Sequence, residues 1–292
     1  MTLHTPKRVG LPVICIGNLT AGGTGKTPTA VSIANLLKSH HPYFVSRGYG
    51  GKLHNILVNT NIHTPQEVGD EPLLLAREAP TIVNPNRYEA AQKASKAGAE
   101  IIIMDDGFQN PKLHKDLSFL VFDGEFGYGN GLCIPAGPLR ENLNAGLKRA
   151  DAVLIIGADK HNLASQFSLP IFHGTIMPIA PQMDSHKVIA FAGIGRPEKF
   201  YQSLRNLKFD IVATHDFPDH HFYTEEELQI LITKAKNLSC ELITTAKDFV
   251  KIPPHLREAF KVLEIEIRWQ EEKELIELIN NKLFLQESTS TN

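Results

Sequence analysis

Residues 12–29 constrain this chain more than any other stretch. They read Pro-Val-Ile-Cys-Ile-Gly-Asn-Leu-Thr-Ala-Gly-Gly-Thr-Gly-Lys-Thr-Pro-Thr. Val13 to Ile16 is an apolar, β-branched run of strand length. A turn with Gly22, Gly23 and Gly25 follows, then Lys26 and Thr27. After Pro28 a helical pattern runs to about Ser39, with Ala30, Ile33, Ala34 and Leu37 on one face. Glycines let backbone N–H groups converge on phosphate oxygens, and the following helix turns its positive end to the same anion. Strand, glycine loop, Gly-Lys-Thr and helix in this order predict a phosphate-binding loop rather than an ordinary glycine turn. Thr20, Ala21, Gly22, Gly23, Thr24, Gly25, Lys26 and Thr27 are the candidate nucleotide-binding residues. Lys26 would reach the β- and γ-phosphates, and the Thr27 hydroxyl would ligate Mg²⁺. Thr20 stands where the usual pattern has its first glycine, so the entry turn is a variant.

Strand-like runs alternate with helical patterns along the whole chain. Candidate strands are 13–16, 43–46, 56–59, 81–84, 100–105, 117–122 and 152–156, with helical patterns near 28–39, 67–78, 87–97 and 140–149. Runs such as Ile101-Ile102-Ile103-Met104 are apolar without alternation, which suits a parallel sheet buried on both faces. The expected fold is a P-loop-type, doubly wound, mostly parallel α/β domain over 1–167, with the phosphate loop at its first β–α turn. Pro170, Pro178 and Pro181 flank an extended run, so 168–186 reads as a hairpin-like linker. A smaller α/β domain then occupies 187–292, through strand 187–192, helix 197–206, strand 209–213, helix 224–236, strands 241–245 and 261–267, and helix 271–284. The polar tail Gln286 to Asn292 should fray.

With 292 residues, the chain is long enough for a large core. Its formal net charge of −2 gives no electrostatic case for nucleic acid. The three cysteines are far apart and form no metal-spaced pair. No apolar run reaches the length of about 18 residues that suggests a membrane span.

Asp105 and Asp106 end the most apolar strand. Acidic residues at that place in a phosphate-loop fold hold Mg²⁺, directly or through water. Gly69-Asp70-Glu71-Pro72 starts a helix, where Asp70 is either a helix cap or a carboxylate aimed at the crevice. His215 to His221 is the densest histidine cluster; a metal site, a surface loop and a general base all remain open there. Arg47, Arg87 and Arg140 each sit in or beside a glycine-, asparagine- or proline-shaped loop suited to anion recognition. Thr244-Thr245-Ala246-Lys247-Asp248 ends a later strand and is equally compatible with a structural turn.

Taken together, these segments resemble the tetraacyldisaccharide 4′-kinase family from about Val13 to Asp248. The resemblance rests on the ordered set formed by the phosphate-loop stretch, Ser-Arg-Gly-Tyr-Gly-Gly, Gly-Asp-Glu-Pro, Asp-Asp-Gly-Phe-Gln, Gly-Pro-Leu-Arg-Glu, Phe-Pro-Asp-His-His and Thr-Thr-Ala-Lys-Asp. It implies phosphoryl transfer from ATP, with Mg²⁺, to the 4′-hydroxyl of an acylated glucosamine disaccharide 1-phosphate in lipid A biosynthesis. It also implies a peripheral enzyme at the cytoplasmic face of the bacterial inner membrane, and two α/β/α domains joined by a hairpin-like linker. Residue by residue, it implies Lys26 and Thr27 at the phosphates and Asp105 and Asp106 near the metal with Thr27. It makes Asp70 the catalytic carboxylate with His220 as partner, and places Arg87, Arg140 and Glu141 along the acceptor site. Family members commonly carry a longer apolar segment before the loop strand. Here only Met1 to Pro12 precede Val13, so either the chain begins late or it docks through other surfaces. The competing class is an acceptor-independent ATPase switch with a similar loop; such switches usually carry lysine where this chain has Ala21. A kinase for a soluble metabolite is a third option.

Overall fold

The computed structural model describes residues 5–284. Met1–His4 and the tail Gln286–Asn292, expected to fray, lie outside them. The elements of the first half are β1 (Val13–Gly17), α1 (Lys26–Leu36), β2 (Pro42–Ser46), β3 (Ile56–Leu57), α2 (Pro65–Val68), α3 (Asp70–Ala76), β4 (Thr81–Val83), α4 (Arg87–Lys96), β5 (Ile101–Asp105), β6 (Leu117–Asp123), α5 (Leu143–Leu147) and β7 (Ala152–Ile156). After β8 (Ile171–Ile179) come β9 (Lys187–Ala192), α6 (Pro197–Asn206), β10 (Asp210–Asp216), α7 (Glu225–Asn237), β11 (Glu241–Thr245), α8 (Ala246–Phe249), β12 (Phe260–Trp269) and α9 (Glu272–Leu283).

All the strands of the described residues join one sheet, ordered β10-β9-β11-β12-β8-β7-β6-β1-β5-β2-β4-β3. Every residue of β1, β5 and β7 is buried, because helices cover both faces. Strand alternation divides the side chains between two cores. Ile14 and Ile16 pack with Ile33 and Ala34 of α1 and with Leu275 and Ile279 of α9. Val13 and Cys15 pack with Ala90, Ala91 and Ala94 of α4. The last described helix of the chain therefore closes the core of the first half, and Trp269 Nε1 donates to Ser32 Oγ at 2.9 Å. An amphipathic pattern states which face is apolar, not which core receives it.

The stretch 168–186 does not fold back on itself. It contributes one long strand that links β7 to a partner from the far end of the chain. Residues 171–174 of β8 pair in parallel with β7, and residues 174–179 run past the carboxyl end of β7 and pair antiparallel with β12. The other end of β12, from Phe260 to Leu263, pairs in parallel with β11. This two-stranded ribbon has a geometric consequence. It carries the second parallel half-sheet beyond the carboxyl edge of the first and reverses its direction. The carboxyl ends of both half-sheets thus face each other across one crevice, the place where open α/β sheets bind ligands.

Three local differences from the sequence expectations have identifiable causes. The helix expected over 67–78 is two helices broken at Gly69, whose φ of 91° is easy only for glycine and whose added Cβ would lie 2.6 Å from the Tyr49 carbonyl oxygen. Helix α1 starts at Lys26 rather than near Thr29, because Gly25 at φ 83° turns the loop directly into it. The helix expected over 140–149 shortens to α5, capped by the Asn142 side chain, because residues 133–140 lie against the phosphate loop instead.

Gly17 ends β1 against Phe108, and an added Cβ would stand 2.4 Å from Phe108 Cβ. Gly17→Ala is expected to destabilise the fold by about 1–3 kcal/mol, as other overpacked cores do. Gly23→Ala, with nothing within 4 Å, should leave urea unfolding unchanged.

Candidate active site

The phosphate loop leaves β1 and is stapled from within. Buried Asn18 donates from Nδ2 to the Thr20 carbonyl at 2.7 Å and to Thr24 Oγ1 at 3.0 Å. From outside, Ala21 N–H donates to the Pro138 carbonyl at 2.8 Å, and Thr20 bridges Leu139. Ala21, Gly22 and Gly23 remain exposed above the start of α1. The first-turn N–H groups of that helix have no intrahelical acceptor and carry its positive end, which makes this an anion site.

The acidic pair sits directly beside it. Asp105 is buried; its Oδ2 accepts from Thr27 Oγ1 at 3.1 Å, while Oδ1 has no partner. Asp106 exits the strand at φ 51° and meets Arg140 Nη1 at 3.0 Å and Lys26 Nζ at 3.7 Å. Gln109 donates to the Asn18 carbonyl at 2.9 Å and to Glu141 Oε1 at 3.1 Å, and Glu141 also pairs with Arg149. Arg140 thus belongs to the Asp106 side of the crevice. Arg87, at the start of α4, is buried and donates to the Asn84 carbonyl at 3.0 Å. Burial pushes its guanidinium down to about 10, with Asp105 the strongest opposing charge.

Asp70 and His220 meet across the crevice. Asp70 is the first residue of α3 and not its cap, which is Gly69. Its Oδ1 accepts from the Glu71 N–H at 3.0 Å, and its Oδ2 lies 2.9 Å from His220 Nδ1, 150 residues away in sequence. The open question over the histidine cluster resolves by position. His215 on β10 contacts Lys234 at 2.9 Å, His221 lies 3.1 Å from Glu227 in the cap of α7, and only His220 faces the other half-sheet. Among the described residues no group of three or more His, Cys, Asp or Glu is arranged to hold a metal by itself.

Sequence reasoning passed over four contributors. Asn18 shapes the loop. Gln109 ties that loop to Glu141. Glu71 sits beside Asp70, and burial raises its carboxyl. Lys247, at the start of α8, lies 3.3 Å from Asp219 Oδ1 and 3.4 Å from His220 Nε2. Lys247 had a signal in the Thr-Thr-Ala-Lys-Asp segment, but its meaning depends on a neighbour from another loop.

Burial, then the Glu71 carboxyl, push Asp105 from 3.8 up to about 7. A folded carboxyl raised above its unfolded value binds protons more tightly than the unfolded chain does, so its stabilising protonation is lost as pH rises from about 4 to 7. Asp105→Asn should remove that slope. The melting temperature of the variant should exceed that of the parent by several degrees at pH 8, with a smaller gap at pH 5. A gap independent of pH would contradict the assignment.

Comparison with known proteins points in one direction. Residues 1–284 match the family model described as tetraacyldisaccharide-1-P 4′-kinase, LpxK. The tetraacyldisaccharide 4′-kinase of Gluconobacter oxydans is 46% identical over 271 residues, covering 90% of this chain and 83% of the relative. That of Methylobacterium nodulans is 49% identical over 254 residues, covering 83% and 75%. Among solved structures, the "apo" form of LpxK from Aquifex aeolicus in complex with ATP superposes with a TM-score of 0.78 at 28% identity, covering 96% of this chain and 91% of that one.

Proposed function

The chain belongs to the tetraacyldisaccharide 4′-kinase family and is a phosphotransferase of lipid A biosynthesis; on that premise we propose how its residues divide the work. ATP lies with its phosphates on the loop Thr20 to Thr27. The free N–H groups at the start of α1 and the Lys26 ammonium neutralise the charge that builds on the transferring group. The acylated disaccharide enters the crevice from the Asp70 side. Its 4′-hydroxyl oxygen bonds to the γ-phosphorus as the bond to the β–γ bridging oxygen breaks, ADP departs, and the hydroxyl proton passes to the Asp70 carboxylate. The observation that supports this reading is the 2.9 Å contact of Asp70 with His220, through which both half-sheets hold the proposed base. Positioning and charge neutralisation supply the larger share of the rate in a loose phosphoryl transfer, and proton transfer to the base adds to it.

The residues present also fit Mg²⁺. Asp105 offers a buried oxygen without a partner and holds the Thr27 hydroxyl on the other, a donor set that suits a hard cation brought in by phosphates. Thr27, Asp105 and Asp106 would hold it, and bound there it would screen the phosphate charge. Chelation by EDTA should abolish transfer, and added Mg²⁺ should restore it.

Residues 1–167 act as the kinase core in this scheme, 187–292 as the smaller partner that brings His220, and 168–186 as the connector. Contact with the cytoplasmic face of the inner membrane is peripheral. Among the described residues no helix is long and apolar enough to cross a membrane. Leu132 and Ile134, 52% and 57% exposed, project from the segment that packs on the phosphate loop and give a lipid acceptor an apolar rim.

The test is transfer of labelled γ-phosphate from Mg-ATP to the acylated disaccharide 1-phosphate in detergent micelles, beside a reaction without acceptor. Acceptor-dependent product is expected. Hydrolysis at the same rate with and without acceptor would replace the kinase by an ATPase switch.

A further inference from the structure

Lys247 stands on a helix that the second half of the chain holds in place. Thr245 caps α8: its Oγ1 accepts from the Asp248 N–H at 3.1 Å and donates to Asp248 Oδ2 at 2.7 Å. The Asp248 and Lys251 side chains are 0% and 1% exposed and pair at 2.8 Å. A Cβ added to Gly193 would lie 3.0 Å from Tyr223 Oη, 3.1 Å from the Pro218 carbonyl and 3.2 Å from Asp248 Oδ1. The anchor of α8 and the loop carrying His220 are therefore packed on the same point.

Asp248 points inward, and Lys247 turns to the crevice. Its ammonium lies 3.4 Å from His220 Nε2 and 3.3 Å from Asp219 Oδ1. An ammonium has donors and no acceptor, so a hydrogen bond to the ring requires a lone pair on Nε2. On the other side of the ring, Nδ1 lies 2.9 Å from Asp70 Oδ2, which as a carboxylate oxygen accepts. One tautomer satisfies both contacts, with the hydrogen on Nδ1 and none on Nε2. The remaining charged neighbour, Asp219 Oδ2, is 3.9 Å from Nε2, beyond hydrogen-bond range, while its other oxygen receives Lys247.

We propose that Lys247 is a positioning residue for phosphoryl transfer: its ammonium selects the Nδ1–H tautomer of His220, which then donates to Asp70 and leaves that carboxylate unprotonated to receive the hydroxyl proton. The inference rests on the kinase roles given above to Asp70 and His220. It extends them to the Thr244–Asp248 segment, whose sequence is equally compatible with a structural turn. Because the ring is held from two sides, its orientation does not depend on the short 217–221 loop alone.

Long-range ¹H–¹⁵N correlation of the histidine rings at pH 8 tests it, with the His220 signals assigned by their loss in His220→Gln. The wild-type ring should show Nδ1 protonated and Nε2 bare. Lys247→Met should shift the hydrogen towards Nε2 and lower kcat by about 10–100-fold with the KM for ATP little changed, short of the roughly 10⁴-fold cost of a wrong tautomer in a serine-protease triad. Lys247→Arg, which still donates, should restore the wild-type tautomer and part of kcat. A wild-type ring protonated on Nε2 or on both nitrogens would overturn the proposal, as would Lys247→Met with unchanged tautomer or unchanged kcat. A wild-type protein that shows the Nδ1–H ring yet transfers no phosphate to acceptor would instead overturn the kinase roles and leave the tautomer standing.

Discussion

Asp70→Asn is expected to lower kcat for phosphoryl transfer by about 10²–10⁴-fold, the range lost with a general base. Asparagine has the same size, suits the first position of α3 equally well, and its carbonyl oxygen still accepts from the Glu71 N–H that now reaches Asp70 Oδ1 at 3.0 Å. It does not take up a proton at neutral pH. The loss should therefore appear in kcat and equally in kcat/KM, while nucleotide affinity, set by the phosphate loop, stays within about twofold. Steady-state kinetics with acceptor, beside equilibrium nucleotide binding, separates the two. A large loss of nucleotide affinity would move Asp70 from proton transfer to phosphate binding.

Lys251→Met carries the largest expected effect on stability. It strands the Asp248 carboxylate in a site where both side chains are almost wholly inaccessible. Removing one member of a buried ion pair costs about 3–5 kcal/mol, because the remaining charge loses its compensation. The double variant Lys251→Met/Asp248→Leu should recover most of that loss in urea unfolding, since a buried pair is often replaceable by apolar side chains. Failure of the double variant to recover would mean that the Thr245 cap, rather than the charge, is what α8 depends on. Either single change should also reduce transfer, because α8 carries Lys247.

Much of the first half was legible because its signals are local. The strand at Ile101-Ile102-Ile103-Met104 and the loop from Thr20 to Thr27 lie where spacing puts them, since apolar runs and glycine turns act over a few residues. Breaks set by distant backbone were not legible. Gly69 splits a helical pattern because the chain at Tyr49 crowds it. The destination of α9 was hidden for the same reason, as was the role of β12 as partner of β8.

The candidate site divides in the same way. Lys26, Thr27 and the Asp105–Asp106 pair follow from motif and strand end. Asp70 and His220 were paired through the family resemblance alone, because no spacing rule links residues so far apart. Geometry adds what neither supplied. The β8–β12 ribbon turns two carboxyl edges towards each other, so loops from opposite halves become neighbours. Asn18, Gln109, Glu71 and Lys247 gain meaning only in that arrangement.

A double-mutant cycle on kcat/KM for acceptor tests the central claim, that Asp70 and His220 form one unit assembled from both half-sheets. Residues acting as a unit lose nearly the same activity singly and together. Asp70→Asn, His220→Gln and the double variant should therefore fall to similar rates. A double variant slowed by the product of the two single losses would show the residues working independently and would contradict the assembled site.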